Sequence, residues 1–368
     1  MIKQIILLPG DGVGKEVMES AKIVLNTIAN EYGHRFVFHA HEIGGEALDK
    51  SGTPLPDETL NACQDADAIL LGAVGGPKWD DYPSHLRPEK GLLGIRKELG
   101  LFANLRPVKS FLPLLHASPL KEEIVKDSDI MIIRELTGGL YFGKPSERRN
   151  NGKDVVDTLA YSREEMEQIV DKAFESAQMR RKHLTSVDKA NVLESSRMWR
   201  EVVNEKARDY PDVEVEHLLV DAAAMKLITN PASFDVMVTE NLFGDILSDE
   251  ASVLTGSIGM LPSASVRSDG FGMYEPVHGS APDIAGKGIA NPLGMILSTA
   301  MMLKYSFGME EEAFEIEEAV RQTVEQGFHT ADLQVKGGKT IGTNEMTNVI
   351  LDNLTTKSVS DSICSMYA

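Results

Sequence analysis

Apolar positions along this chain fall into two recurring patterns. Short unbroken runs at 5–8 and at Ala68-Ile69-Leu70-Leu71-Gly72-Ala73-Val74 have the length of strands buried on both faces. Between them, Val13, Val17, Ala21, Val24, Leu25 and Ile28 recur at helical spacing and define one apolar face. Farther along, 129–134 reads as a strand and 163–181 as a long amphipathic helix. The segments 184–188, 214–220 and 235–239 read as further strands separated by helices. This rhythm predicts an α/β architecture with a largely parallel sheet. No repeat, low-complexity tract or linker marks a boundary. Segment 143–158, rich in Gly, Asn, Arg and Asp, fits either a protruding arm or a surface loop.

Composition narrows the function classes. A chain of 368 residues, 42% hydrophobic and 25% charged, is a folded protein of two domains or one large α/β unit. Its 56 acidic against 37 basic side chains give a net charge of −19, which disfavours nucleic acid and anionic membrane as partners. A small anionic substrate stays open, because a few local arginines override the global field. Two cysteines, Cys63 and Cys364, are too few for a zinc cluster or a disulfide framework and fit a reducing cytoplasm. The apolar start is too short for a signal peptide or a membrane span, so a cytoplasmic protein is expected.

Two glycine-rich loops invite a cofactor. Gly10-Asp11-Gly12-Val13-Gly14 follows a strand and opens a helix, but its G-x-G-x-G spacing is not the G-x-G-x-x-G dinucleotide fingerprint. It reads as a tight strand-to-helix turn. The stretch His278-Gly279-Ser280-Ala281-Pro282-Asp283-Ile284-Ala285-Gly286-Lys287-Gly288-Ile289-Ala290-Asn291-Pro292 suits backbone contacts to a flat or phosphorylated ligand, and equally suits a structural loop.

The charged candidates are sparse. Within Asn241-Leu242-Phe243-Gly244-Asp245-Ile246-Leu247-Ser248-Asp249, two aspartates lie four residues apart and share one face if the segment is helical. Such carboxylates suit Mg²⁺ or Mn²⁺, and equally suit a solvated acidic face. Asp221 follows the apolar run 218–220 and is a candidate third carboxylate at a strand end. Arg96, Arg106 and Arg134 each sit beside apolar residues or proline; together they can clamp a dicarboxylate, and separately each fits a surface salt bridge.

Taken together with Leu136-Thr137-Gly138-Gly139-Leu140-Tyr141 and Asp188-Lys189-Ala190-Asn191, these motifs occur in an order that resembles the isocitrate/isopropylmalate dehydrogenase family of β-hydroxyacid oxidative decarboxylases. The resemblance runs from the first strand to about residue 355. It implies two α/β domains around a central cleft, distinct from the Rossmann fold. One domain would comprise 1–101 plus 257–368 on the cofactor side; the other, 102–256, would hold substrate, metal and the dimer contact. The partners implied are a small dicarboxylate and a second copy of the chain in a homodimer with shared sites.

The same resemblance assigns roles. Arg96, Arg106 and Arg134 hold substrate carboxylates, with Glu89, Leu92, Leu93, Asn191, Val192 and Asp221 also lining the substrate. Asp221, Asp245 and Asp249 bind the metal. Asp245 and Asp249 come from one subunit, and Lys189 and Asp221 from its partner. Gly76, Glu89, Glu275, His278, Gly279, Ser280, Ala281, Asp283, Ile284 and Asn291 contact the cofactor. Asp283 favours NAD over NADP, because a carboxylate accepts from ribose hydroxyls and repels a 2′-phosphate. Lys189 is the candidate base for the C2 hydroxyl, and Tyr141 the donor of the final proton. Leu92 and Leu93 would leave a third carboxylate buried without a partner, which points to 3-isopropylmalate rather than isocitrate. The expected reaction is its oxidative decarboxylation to 4-methyl-2-oxopentanoate, a step of leucine biosynthesis. Two alternatives are D-malate or tartrate oxidation, and a catalytically silent regulatory subunit; the full set of Lys189, Tyr141 and three aspartates argues against the latter.

Overall fold

The alternation of side chains along each strand decides where this molecule is greasy and where it is polar. In the computed structural model, which describes residues 1–333, 335 and 337–366 and side chains through Leu354, twelve strands frame the fold, besides a short parallel pair at Phe328–His329 and Lys339–Thr340. They are β1 (Ile2–Gly10), β2 (Arg35–Ala40), β3 (Ala68–Ala73), β4 (Ala103–Lys109), β5 (Asp129–Glu135), β6 (Glu147–Arg149), β7 (Asp154–Val156), β8 (His183–Asp188), β9 (Glu214–Leu219), β10 (Val236–Thr239), β11 (Pro262–Val266) and β12 (Gly272–Pro276). Ten of them form one sheet in the order β2-β1-β3-β12-β11-β4-β5-β10-β8-β9. Pairing is parallel toward both edges and antiparallel only from β12 through β11 and β4 to β5. The strands read from the sequence are present within a residue or three; β2, β4, β11 and β12 are the additions to the main sheet.

Successive residues of a strand point to opposite faces, and the cores follow that rule. Ile5 and Leu7 of β1 and Met131 and Ile133 of β5 join one core that runs under the whole sheet, packed on the helices Gly14–Glu31, Arg163–Gln178 and Leu293–Tyr305. The alternate residues face the other way, into two separate cores: Ile6 and Leu8 in one, Ile130 and Ile132 in the other. Between those two cores the same face turns polar. Leu105, Ala264 and Tyr274 point into the continuous core, so Asn104, Arg106, Ser263, Ser265 and Glu275 lie on the opposite face. A floor of buried polar groups therefore divides the two smaller cores.

Segment 143–158 forms an exposed arm, its β6 and β7 paired antiparallel as a hairpin apart from the main sheet. Cys63 is buried and free, and burial pushes its thiol up to about 12. Cys364 lies outside the described side chains. Among the described residues no helix is long and apolar enough to cross a membrane.

Candidate active site

The helix Asn241–Ser252 follows directly on β10, and Glu240 caps it by accepting from the Phe243 N–H at 3.1 Å. Asn241 and Asp245 are one turn apart, and the guanidinium of Arg134, at the end of β5, spans them. Its Nε and Nη2 donate to Asn241 Oδ1 at 3.0 and 2.8 Å, and its Nη1 to Asp245 Oδ1. Tyr141 donates to the other oxygen, Asp245 Oδ2, at 2.6 Å. Burial raises the Asp245 carboxyl, but Arg134, Tyr141 and Arg106 outweigh it and hold the group below its usual range. Asp245 is therefore ionised at neutral pH. Burial, the hydrogen bond to Asp245 and its charge push the Tyr141 phenol up to about 12, so its hydroxyl keeps its hydrogen.

The three arginines converge. Arg106 donates from Nη1 to Ser248 Oγ at 2.7 Å and to Asp249 Oδ1 at 3.2 Å, and from Nε to Asn104 Oδ1 at 2.8 Å. Arg96 reaches Glu275 at 2.6 Å from Nη2, while its buried Nε has no partner. Burial lowers the Arg134 guanidinium to about 10, aided by the charges of Arg106 and Arg96; burial likewise lowers Arg106, with Arg96 adding to it. Arg96 lies on the helix Pro88–Glu98, one face of which also bears Glu89, Leu92 and Leu93. Leu92 packs against the N-terminal core, whereas Leu93 is half-buried and belongs to none of the cores.

Lys189 and Asp221 form a second cluster. They stand at the ends of the adjacent parallel strands β8 and β9 and pair at 2.5 Å. Lys189 lowers the Asp221 carboxyl, whose side chain is 59% exposed. Asn191 and Val192 follow on an exposed turn. Strand β9 is three places from β5 in the sheet, about 14 Å at the usual strand spacing. Among the described residues no three His, Cys, Asp or Glu side chains of one chain are grouped to hold a metal. Asp245 and Asp249, one turn apart with oxygen donors only, fit two ligands of a hard divalent cation.

The glycine turn after β1 is structural, as its spacing implies. Asp11 is buried and its carboxylate accepts from the Gly45, Glu46 and Gly75 N–H groups, each at 2.8 Å. Gly12, at φ +55°, lets the turn meet the late loop, where Val13 N–H donates to Ser280 O at 2.8 Å; a Cβ there would lie 1.9 Å from that oxygen. The turn thus supports the 278–292 loop instead of cradling phosphate itself. Ser280 is buried next to Gly76, and Glu89 reaches Gly75. His278 Nε2 is buried without a partner, and open space surrounds Gly279. Asn291 is buried and held by Asp332 at 3.0 Å. Ala281 takes φ +39°, Ile284 is half-buried, and Asp283 is exposed on the rim. An unpartnered ring nitrogen beside an open backbone shelf fits a planar, hydrogen-bonding ligand such as a nucleotide base.

Several roles escape the sequence reading. Asn241 orients Arg134, Asn104 and Ser248 hold Arg106, and Glu275, read as a cofactor contact, pairs with Arg96. Glu135 and Glu240 lie buried and Tyr161 half-buried behind Tyr141. A carboxylate at the very end of a buried strand, as Glu135 is, or just after one, as Glu240 is, is the signal that marks them.

The model of the family described as isocitrate/isopropylmalate dehydrogenase matches residues 4–350. The chain is 72% identical over 367 residues to a 3-isopropylmalate dehydrogenase of Oceanobacillus iheyensis, covering all of both chains. It is 61% identical to one from Bacillus subtilis, over 90% of this chain and 92% of that one. Among solved structures, isocitrate dehydrogenase from Methylococcus capsulatus superposes with a TM-score of 0.85 at 35% identity, over 96% of this chain and 99% of that one. An apo β-decarboxylating dehydrogenase from Thermococcus kodakarensis gives 0.80 at 38%, over 98% of each.

Proposed function

We propose, for a chain that belongs to the isocitrate/isopropylmalate dehydrogenase family, that it oxidises and decarboxylates 3-isopropylmalate to 4-methyl-2-oxopentanoate with NAD and Mg²⁺ or Mn²⁺. The observation that carries this reading is the convergence of Arg96, Arg106 and Arg134, two of which pair with Asp249 and Asp245 while the third pairs with Glu275. Three cations there are balanced by Asp245, Asp249 and Glu275. A dianionic substrate therefore enters without unbalanced charge only when a dication enters with it.

In this reading Arg96 uses its unpartnered Nε, and Arg106 and Arg134 turn donors from the aspartates to the substrate carboxylates. Freed of the arginines, Asp245 and Asp249 would hold the metal together with Asp221 of a second copy. The metal, when bound, supplies Lewis-acid polarisation of the C2 hydroxyl and its neighbouring carboxylate. Gly76, Glu89, Glu275, Asn291 and the 278–284 stretch would hold NAD, which would supply the hydride acceptor for C2. Once Asp221 has turned from it and its ammonium has released a proton to solvent, Lys189 takes the hydroxyl proton as the neutral amine. The C3 carboxylate then leaves as CO₂. Tyr141 protonates C3: its O–H bond breaks, a C–H bond forms, and the phenolate is reprotonated from solvent. Leu93, with Leu92 behind it, receives the isopropyl group.

A shared site is supported by what surrounds the aspartates. The helices Val220–Thr229 and Asn241–Ser252 pack on each other and leave Met225, Ile228, Ile246 and the adjoining Val253 exposed. Such a patch beside a half-built site suits a two-fold contact with a second copy, which would bring the partner's Lys189 and Asp221 to Asp245. A metal-dependent absorbance rise at 340 nm with 3-isopropylmalate and NAD tests the reaction. No rise with that substrate, or an equal one with D-malate, refutes it.

A further inference from the structure

Tyr161 touches neither a substrate-binding nor a metal-binding candidate, yet it contacts both pieces of chain that bring Tyr141 to Asp245. Its backbone is anchored by the next residue: Ser162 caps the helix Arg163–Gln178 in a reciprocal box with Glu165. Its ring lies edge-on to Trp199 at 6.4 Å. Its hydroxyl accepts from Asn241 N–H, the first amide of the aspartate-bearing helix, at 2.9 Å, and donates to Glu240 Oε2 at 3.3 Å.

On its other side the ring underlies the loop that leads to Tyr141. Gly139 has φ +73°, and a Cβ there would lie 2.5 Å from the Tyr161 oxygen, so only glycine lets the loop settle so closely. Gly139 N–H donates to Ala160 O at 3.0 Å, and Asn241 Nδ2 donates to Gly138 O at 3.1 Å. Glu135 fastens the start of the loop by accepting from Thr137 N–H at 2.7 Å and Gly138 N–H at 2.9 Å.

The loop and the helix are thus joined twice. The outer tie, Tyr141 to Asp245, has to open when Asp245 takes a metal and Tyr141 turns to the substrate. The inner tie through Tyr161 and Asn241 makes no contact with substrate and can persist. We propose that Tyr161 is a positioning residue that holds the Gly139–Tyr141 turn against the helix Asn241–Ser252, keeping Tyr141 in reach of C3 after it releases Asp245. This rests on the reaction assigned above.

Tyr161→Phe removes only the hydroxyl. With 3-isopropylmalate, NAD and Mn²⁺, kcat is expected to fall about 10-fold or more, as small misplacements of a reacting group do. KM for the substrate should stay within about 2-fold, because Tyr161 meets Asn241 only at its backbone N–H, whereas Arg134 is held by the Asn241 side chain, and Arg96 and Arg106 by other residues. In a Tyr141→Phe background the same change should cost less than about 2-fold, since the group being positioned is gone. An unchanged kcat, a parallel change in kcat and KM, or full multiplication of the two losses overturns the proposal. Glu240→Gln keeps an oxygen for the Phe243 N–H while removing the carboxylate that Tyr161 donates to. It should give a weaker form of the same pattern, and an unchanged kcat there also overturns the proposal. An inactive wild type would refute the reaction assignment and this inference with it, whereas an active wild type with an unaffected variant removes the inference alone.

Discussion

Tyr141 donates its phenolic hydrogen to Asp245 Oδ2 at 2.6 Å, while Arg134 holds the other oxygen of the same carboxylate. The proposed proton donor and a proposed metal ligand are therefore each other's partners before substrate arrives. Binding has to exchange these contacts.

That exchange gives Tyr141 a defined share of the rate. Tyr141→Phe is expected to lower kcat about 100-fold, within the range for loss of a general acid, at nearly unchanged KM. Because the phenol is pushed up to about 12, it stays protonated through neutral and mildly alkaline pH. Steady-state profiles should show the same kcat dependence between pH 7 and pH 9 in wild type and variant. A wild-type alkaline decline in that window that vanishes in Tyr141→Phe would contradict the assignment.

Substrate preference should follow Leu93 more than Leu92. Leu92 is engaged with the N-terminal core, and Leu93 belongs to none. Leu93→Ser is expected to reduce kcat/KM for 3-isopropylmalate by about 10-fold or more, while malate turnover, with no branched group to place, changes much less. Equal losses on both substrates would make the leucine structural.

The cofactor loop makes its own test. Asp283 stands exposed on the rim of the 278–292 stretch, where its charge is expected to exclude a 2′-phosphate. Wild type should prefer NAD to NADP in kcat/KM, and Asp283→Asn should narrow the ratio by about 10-fold. An unmoved ratio would place the discrimination elsewhere.

Asp11 ties the turn after β1 to Gly45, Glu46 and Gly75, and its removal should be read as stability. Asp11→Ala leaves three amides without their acceptor and is expected to cost about 3 kcal/mol in urea unfolding at pH 7. Burial raises this carboxyl above its usual range despite the three donors. A raised folded-state value contributes stability that is present at low pH and lost as pH rises through it. The cost of the substitution should therefore be greater at pH 4 than at pH 7; a reversed trend would contradict the burial argument.

Much of this was legible in the chain, for physical reasons that also mark where legibility stops. The runs at β1, β3 and β5 are apolar because both sheet faces are covered, and the Asp245 and Asp249 spacing is fixed by one helical turn. β4, β11 and β12 were harder to read, because their alternate residues Asn104, Arg106, Ser263 and Ser265 form a polar floor and break the apolar signal. The ion pair of Arg134 and Asp245 joins residues 111 apart in sequence; a parallel sheet order creates that meeting, and no local spacing encodes it. The motifs identified the arginines as a set, but their holders Asn241, Ser248 and Glu275 became visible only once the strands were paired. Tyr161 gave no signal, since a lone tyrosine before a helix cap is an ordinary core residue.

The claim with the most at stake is that each site takes Asp245 and Asp249 from one chain and Lys189 and Asp221 from the other. Lys189→Ala and Asp245→Ala should each be inactive alone. In a mixed dimer one site receives both lesions and the other receives neither. After equal mixing and random reassociation, activity with 3-isopropylmalate and NAD should return to about one quarter of wild type, half of the dimers having half of their sites intact. If every group came from a single chain, each site of the mixed dimer would carry one lesion. Mixtures as inactive as their parents, with heterodimers confirmed by mass, would contradict the shared site.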